Sequence, residues 1–200
     1  MTNHLFPIQR YTRQLMQFCI VTEVFSKEEI ERIIDLEDLN KFQQASVNMG
    51  NTKGGVDKQA RNSNVMWLMY EEHSAFIFDK FATLIPQVNY DHFMLDISGF
   101  EPFQYTVYKE NEYYDWHMDA FDMYSNVERK MSISLVLSDP STYEGGEFEI
   151  IMNGRADQPV VVKPNPGDVI FFSAWMPHRV RPVTKGIRKS LVTWVSGNRQ

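Results

Sequence analysis

The chain has 200 residues, 43% of them hydrophobic and 14% aromatic, which suffices for one folded domain with a sizeable core and excludes a disordered chain. Its formal net charge of −6 disfavours binding nucleic acid by general neutralisation of phosphates, though a local basic patch stays open. The single cysteine, Cys19, cannot form an internal disulfide, and no apolar run approaches the roughly 18 residues that span a bilayer.

The N-terminal MTNHLFPIQRYTRQ lacks the basic-then-apolar order of a secretion signal, so a soluble protein of a reducing cytoplasm is expected. Cys19 sits in the apolar run Phe18-Cys19-Ile20-Val21 and reads as a buried structural thiol. Ser26-Lys27-Glu28-Glu29 has the form of a capping box, opening a helix that carries Ile30, Ile33, Ile34 and Leu36 to the core. Residues 48–64, NMGNTKGGVDKQARNSN, contain three glycines and few apolar residues. They read as a mobile loop, either a functional lid or a surface excursion. A second helix is expected from about Glu71 to Ile85, with Phe76, Phe81, Leu84 and Ile85 near one face and Pro86 helping to end it.

From Phe93 onward the character changes to short apolar or alternating runs: Phe93–Ile97, Phe103–Tyr108, Met131–Leu137, Phe148–Met152, Val160–Val162, Val169–Phe172 and Arg188–Val195. Turn residues separate them at Ser98-Gly99, Asp139-Pro140, Gly145-Gly146, Asn153-Gly154 and Pro166-Gly167-Asp168. Many short strands at this spacing point to a β-sandwich or barrel, a jelly roll among them. The expected layout is an N-terminal helical support region, 1–92, with the loop 48–64, followed by a β core, 93–200, in a single compact domain of mainly β class.

Five histidines are present. His4 lies near the terminus, His73 in the second expected helix and His92 just after it, and all three read as structural or solvated. His117 has richer company: the stretch YYDWHMDAFD, 113–122, also holds Asp115, Asp119 and Asp122. In an extended chain alternate side chains share a face, so Asp115, His117 and Asp119 could line one side. An H-x-D pair alone is weak evidence, and alternation leaves Asp115 and Asp119 symmetric about His117. His178 follows the Pro166-Gly167-Asp168 turn and a strand, and Arg188 opens the last long strand with Trp194 six residues on, able to face the same side. Two imidazoles and a carboxylate form the facial triad of non-haem Fe(II) oxygenases, with open coordination positions. Zinc in a hydrolase is the competing metal. A guanidinium beside an open metal site favours the first, because it invites a carboxylate co-substrate through paired hydrogen bonds.

The blocks YKENEYYDWHMD (108–119), RKMSISL (129–135), YEGGE (143–147), PGD (166–168) and HRVRPVTKGIR (178–188), in this order and spacing, resemble the prolyl 4-hydroxylase-like branch of the Fe(II)/2-oxoglutarate-dependent dioxygenases. The resemblance runs from about Phe103 to Trp194. It implies a double-stranded β-helix, a distorted jelly roll, with His117, Asp119 and His178 as iron ligands and Arg188 holding the distal carboxylate of 2-oxoglutarate. Tyr108 corresponds to a strand tyrosine that often reaches the co-substrate. The order H-x-D in that family selects Asp119 as the ligand and leaves Asp115 as a supporting or rim group. Asn111 stands where the family often has glycine, and asparagine tolerates the left-handed backbone such a turn needs. Arg188 replaces the lysine of animal collagen-type enzymes.

The implied activity is hydroxylation of a C–H bond coupled to oxidation of 2-oxoglutarate by O2 at Fe(II), with ascorbate as a supporting reductant. A prolyl residue of a peptide or protein is the first substrate the branch suggests. A small molecule or nucleotide is the alternative, the latter kept open by the basic cluster Arg179, Arg181, Lys185, Arg188 and Lys189. Loop 48–64, segment Ala120–Glu128 and Trp175 are candidate groove elements, with Phe121 and Tyr124 available for an aromatic wall. A Zn hydrolase or isomerase and a non-catalytic jelly-roll binding module are the rival classes.

Overall fold

The structure is a computed structural model that describes residues 16–39, 42–45, 47–49, 52–55, 60–120, 127–152 and 154–198. His4, Phe121, Asp122 and Tyr124 lie outside the described residues. In chain order the strands are β1 (Phe18–Val21), β2 (Gln43–Gln44), β3 (Val47–Met49), β4 (Thr52–Gly55), β5 (Arg61–Asn62), β6 (Asn64–Leu68), β7 (Gly99–Phe100), β8 (Phe103–Tyr108), β9 (Tyr113–His117) and β10 (Val127–Val136). They continue with β11 (Tyr143–Gly145), β12 (Phe148–Ile150), β13 (Val160–Val162), β14 (Val169–Ser173), β15 (His178–Val180), β16 (Val183–Gly186) and β17 (Arg188–Asn198). Helix α1 spans Lys27–Asp35 and α2 spans Ala75–Val88.

The strands build the two facing sheets of a distorted jelly roll, the double-stranded β-helix. The major sheet runs β1-β14-β10-β17-β8-β6-β2, with β7 paired to β17; the minor sheet runs β13-β12-β15-β9-β5. Every pairing is antiparallel. Alternation along the major strands sorts residues between two environments. Phe103, Tyr105 and Val107 of β8, with Met131, Ile133 and Leu135 of β10, join Ile30, Ile33, Ile77 and Phe81 of the helices in one apolar cluster. The intervening Gln104, Thr106 and Tyr108, like Ser134 of β10, face a cavity between the sheets. In β14 both faces are covered: Val169 and Phe171 meet the helix-side cluster, Ile170 and Phe172 a second cluster between the sheets.

The capping box at α1 is formed as expected. Ser26 Oγ accepts from Glu29 N at 3.3 Å, and Glu29 Oε2 accepts from Ser26 N at 2.8 Å. Ile30, Ile33 and Leu36 are buried and Ile34 is partly so. Glu29 also receives Lys80 Nζ of α2 at 2.6 Å, which joins the two helices. Beyond α1, Glu37 accepts from the Tyr105 hydroxyl and pairs with Lys189 Nζ at 2.8 Å, which ties the helix layer to the major sheet. Cys19 is half-buried against Phe171, its pairing partner, and burial pushes its thiol up to about 11, so it stays protonated. No described helix is long and apolar enough to cross a membrane.

Several expectations need correction. The second helix starts at Ala75, so His73 lies in the preceding turn, where it meets Glu71. The helix passes through Pro86 to Val88 and continues as a wide π turn over Asn89–Phe93. Proline removes one backbone donor, but Ile85, Val88 and Phe93 all belong to the helix-side core, and that burial outweighs the lost bond. The strand expected at Phe93–Ile97 is absent for the same reason. Met94 turns left-handed at φ 56, and the Asn89 side chain bonds both the N–H and C=O of Leu95. Residues 48–64 were expected to form a loop, yet Val47–Met49 pairs with Thr52–Gly55, Arg61–Asn62 pairs with β9, and Asn64 opens β6. Backbone pairing needs no apolar side chains, which is why composition did not reveal it. β11, β15 and β16 are three or four residues long, too short for a periodicity to register.

The Pro166-Gly167-Asp168 turn anchors the chain ahead of α1. Gly167 O accepts from Val24 N and Phe25 N at 3.1 and 3.2 Å, and buried Asp168 accepts from Glu23 N and Asn165 N at 3.0 and 2.8 Å. Gly167 has φ +89, and a Cβ there would stand 2.3 Å from Phe25 O. Gly167→Ala is therefore expected to cost about 2 kcal/mol or more, combining left-handed strain with a backbone clash. The expected readout is a lower urea midpoint at unchanged m-value; an unchanged midpoint would contradict this account.

Candidate metal centre

The antiparallel pairing of β9 and β15 sets His117 directly opposite His178. Asp119 sits two residues beyond His117, past the strand end, where Asp119 N and Ala120 N both donate to Ala174 O at 2.9 and 3.1 Å. The chain thus bends its carboxylate back between the imidazoles. One ligating atom from each of His117, Asp119 and His178 lies within 4.8 Å of the others, the only such described group of three. His117 Nε2 is 3.7 Å from Asp119 Oδ1 and His178 Nε2 is 3.4 Å from Oδ2.

Each imidazole is oriented by a backbone carbonyl. His117 Nδ1 stands 2.8 Å from Asp115 O and His178 Nδ1 2.9 Å from Met176 O. Each Nδ1–H donates to its carbonyl, which turns both Nε2 atoms toward the carboxylate. Ser132 Oγ donates to Asp119 Oδ2 at 2.7 Å. Burial raises the Asp119 carboxyl, but the two histidines and Ser132 outweigh it and hold it down at about 2. Trp194 Nε1 contributes in the same direction, although it falls short of full hydrogen-bonding geometry and is otherwise a buried donor without a partner. Burial, then the nearby His178, pushes His117 down to about 3, so it is neutral at physiological pH. Two imidazoles, an ionised carboxylate and an unanswered buried donor form a set that fits a divalent cation with a further anionic ligand.

These groups line a cavity of about 470 Å³ that also takes in Arg188 and Tyr108. Arg188 opens β17 opposite Tyr108, 3% exposed, with its guanidinium 5.6 Å from the Tyr108 ring. Its Nη1 donates to Ser190 Oγ at 3.3 Å, and no described carboxylate pairs with it. The Gly145-Gly146 turn makes room for it: at Gly146, φ +64, a Cβ would come within 3.0 Å of Arg188 Cδ. Asn111 has φ 66, so the asparagine does adopt the left-handed turn.

Asp115 is not part of the convergent group. It lines the cavity mouth, exposed, its Oδ1 accepting from Trp116 N at 2.8 Å. Trp175 is exposed too. The basic cluster is neutralised by acids of this chain. Arg179 and Arg181 meet Glu149 at 2.6 and 3.4 Å, Lys185 meets Glu144 at 3.0 Å and Lys189 meets Glu37 at 2.8 Å. Of the five, Arg188 alone has no described carboxylate partner. Ser132, Arg61 and Gln104 were not assigned roles from sequence. Ser132 could have been found as a polar residue alternating with apolar ones in Met131-Ser132-Ile133-Ser134-Leu135, whereas Arg61 lies in a stretch without any pattern.

Residues 103–196 match the family model of the 2OG-Fe(II) oxygenase superfamily. A PKHD-type hydroxylase of Pseudoalteromonas atlantica is 35% identical over 99 residues, covering 47% of this chain and 42% of the relative. One of Colwellia psychrerythraea is 36% identical over 87 residues, covering 42% and 38%. The matches thus span about two-fifths of these relatives' length. A Pseudomonas putida prolyl-4-hydroxylase structure superposes with TM-score 0.71 at 18% identity over 92% of this chain and 94% of that one. A Trichoplax adhaerens prolyl hydroxylase, solved with a hypoxia inducible factor peptide fragment, gives 0.73 at 16% identity over 90% and 83%. Residues 103–196 are thus similar to the 2OG-Fe(II) oxygenase superfamily, and the solved neighbours share the fold of prolyl hydroxylases. That superfamily's chemistry calls for Fe(II), 2-oxoglutarate and O2, and the triad suits the metal.

His117 makes the metal-free protein acid-sensitive. Its folded-state value lies below its ordinary 6.5, so the unfolded chain takes up the proton first. The stability this neutral ring confers is full above about 6.5 and is lost as pH falls toward 3. Between pH 6.5 and 4.5, above the carboxylate range, urea titrations should show stability falling by about 1 kcal/mol per pH unit, and His117→Asn should flatten that slope. Asp119→Ala should abolish binding of a divalent probe such as Co(II), whereas Asp115→Ala should leave it near the wild-type value; the reverse order would exchange the two aspartates' roles.

Proposed function

We propose that the protein is an Fe(II)- and 2-oxoglutarate-dependent oxygenase that hydroxylates a C–H bond, with a prolyl residue of a peptide or protein as its substrate. The observation that carries this reading is a single cavity holding both a convergent His117–Asp119–His178 set and a buried guanidinium, Arg188, with no carboxylate of its own. His117, Asp119 and His178 would hold the iron, which when bound supplies O2 activation coupled to oxidative decarboxylation of 2-oxoglutarate. Arg188 receives the distal carboxylate through paired hydrogen bonds, and Ser190 steadies its fork from one side. Tyr108, across the ladder from Arg188, closes the co-substrate end of the cavity. Phe148 and Phe172 pack beside His178 and exclude water from that side. Ascorbate would serve as a supporting reductant.

The prolyl assignment rests on the branch, with PKHD-type and prolyl hydroxylase relatives in support. Anaerobic titration of the metal-free protein with Fe(II) and 2-oxoglutarate should develop a weak metal-to-ligand charge-transfer band. Aerobic incubation with a prolyl peptide library should then yield succinate. No band and no succinate would reject the oxygenase. Arg188→Ala should weaken 2-oxoglutarate binding at least about tenfold while metal content stays nearly unchanged, since a charged, buried anchor is removed.

A further inference from the structure

The two histidines of the triad are held in different ways. His178 is buried in apolar surroundings: Phe172 stands edge-on at 4.7 Å and Phe148 lies 5.7 Å away. His117 closes its strand next to exposed Trp116 and Met118, and its ring contacts are Tyr114 and, at 4.1 Å, His178. Its hydrogen bond to Asp115 O fixes one direction of the ring but leaves rotation about that direction free.

A stack of three side chains supplies the missing constraint. The Tyr114 ring lies against the His117 ring with centroids 3.4 Å apart and planes 13° from parallel. The Arg61 guanidinium covers Tyr114, 4.5 Å from its centroid. Arg61 itself is 6% exposed and cannot drift, because Nε donates to Ser63 Oγ at 2.9 Å and Nη2 to Gln104 Oε1 at 2.8 Å. Gln104 belongs to the major sheet, so the stack bridges from one sheet to the ligand on the other. The backbone runs in parallel with it: Arg61 pairs with Tyr114 in the β5–β9 ladder, and Asp115 N donates to Ala60 O at 2.9 Å.

We infer that Arg61 is a positioning residue for the metal centre, fixing the plane of the His117 imidazole through Tyr114. The inference rests on His117 being a metal ligand. A cation over an electron-rich ring is attractive, and it is stronger when the pair is removed from water, as here. Groups that orient a metal-bound imidazole typically change affinity by about 10- to 100-fold when lost.

The test is Co(II) binding to the metal-free protein, followed by calorimetry and by the visible d–d spectrum. Arg61→Gln should weaken Co(II) binding about tenfold or more and alter the spectrum, as should Tyr114→Leu. The double variant should be no worse than either single one, because both remove one stack. Arg61→Lys, which keeps a cation over the ring, should recover much of the affinity, and Tyr114→Phe, which keeps the ring, should match wild type. Unchanged affinity and spectrum in Arg61→Gln, with wild-type Co(II) binding intact, would overturn the inference alone. Failure of the wild type to bind Co(II) would overturn the triad and this inference together. Should Arg61→Gln not fold, the Tyr114 pair decides: equal Co(II) affinity of the Phe and Leu variants refutes the stack.

Discussion

The short ladder between β9 and β15 is the contact on which the rest depends. It holds only two register pairs, His178 with His117 and Val180 with Tyr114, separated by an irregularity. Yet it closes the minor sheet across the cavity and brings residues 61 positions apart into one set. Loop-closure entropy opposes such a long-range pairing, so neighbouring interactions must over-determine it. On the outer face Arg179 of β15 lies over Trp116 of β9, 4.5 Å from its ring, and bonds Glu149 of β12 at 2.7 Å. On the inner face the Arg61–Tyr114 stack does the same. The ligand strands are gripped from both sides where their own hydrogen bonds are fewest.

The cavity wall is polar where a core would be apolar, and this is tolerable because the buried groups satisfy one another. Ser132 bonds Asp119, Ser190 bonds Arg188, and Gln104 bonds Arg61. Buried polar networks of this kind are stabilising only when complete. Among the described residues, the Trp194 indole N–H has no hydrogen-bond partner and the Arg188 guanidinium has no carboxylate partner. Trp194 is wedged under the Arg129 guanidinium at 3.9 Å, and Arg129 is locked by Glu101 at 2.6 Å, so the indole cannot turn away to find another acceptor. Donors fixed in place before a ligand arrives need no reorganisation when it binds.

Outside the cavity the cations of the last strands are paired with acids. The glutamates at 37, 144 and 149 answer the cations of the last strands, and the helix layer covers the opposite face of the major sheet. The uncompensated positive charge at Arg188 is thereby confined to the cavity rather than spread over the surface. The sheet serves as a wall with two chemistries, apolar toward the helices and polar toward the cavity, and period-two alternation is the device that separates them.

Much of this was legible without coordinates. Helix α1 was announced by its capping box, and the long strands by alternation, because those signals are local and repeat over several residues. The order and spacing of His117, Asp119, His178 and Arg188 identified the branch, and the left-handed glycines at 145, 146 and 167 stand where turns were expected. What only the tertiary structure decided was non-local. It bent the chain past the strand end so that Asp119 lies within reach of both imidazoles while Asp115 stays exposed. It paired the basic cluster with its acids and carried α2 through Pro86 into the core. It also set Arg61, from a stretch without pattern, over the ring that supports His117. Such contacts join residues tens of positions apart, and no window of sequence contains both partners.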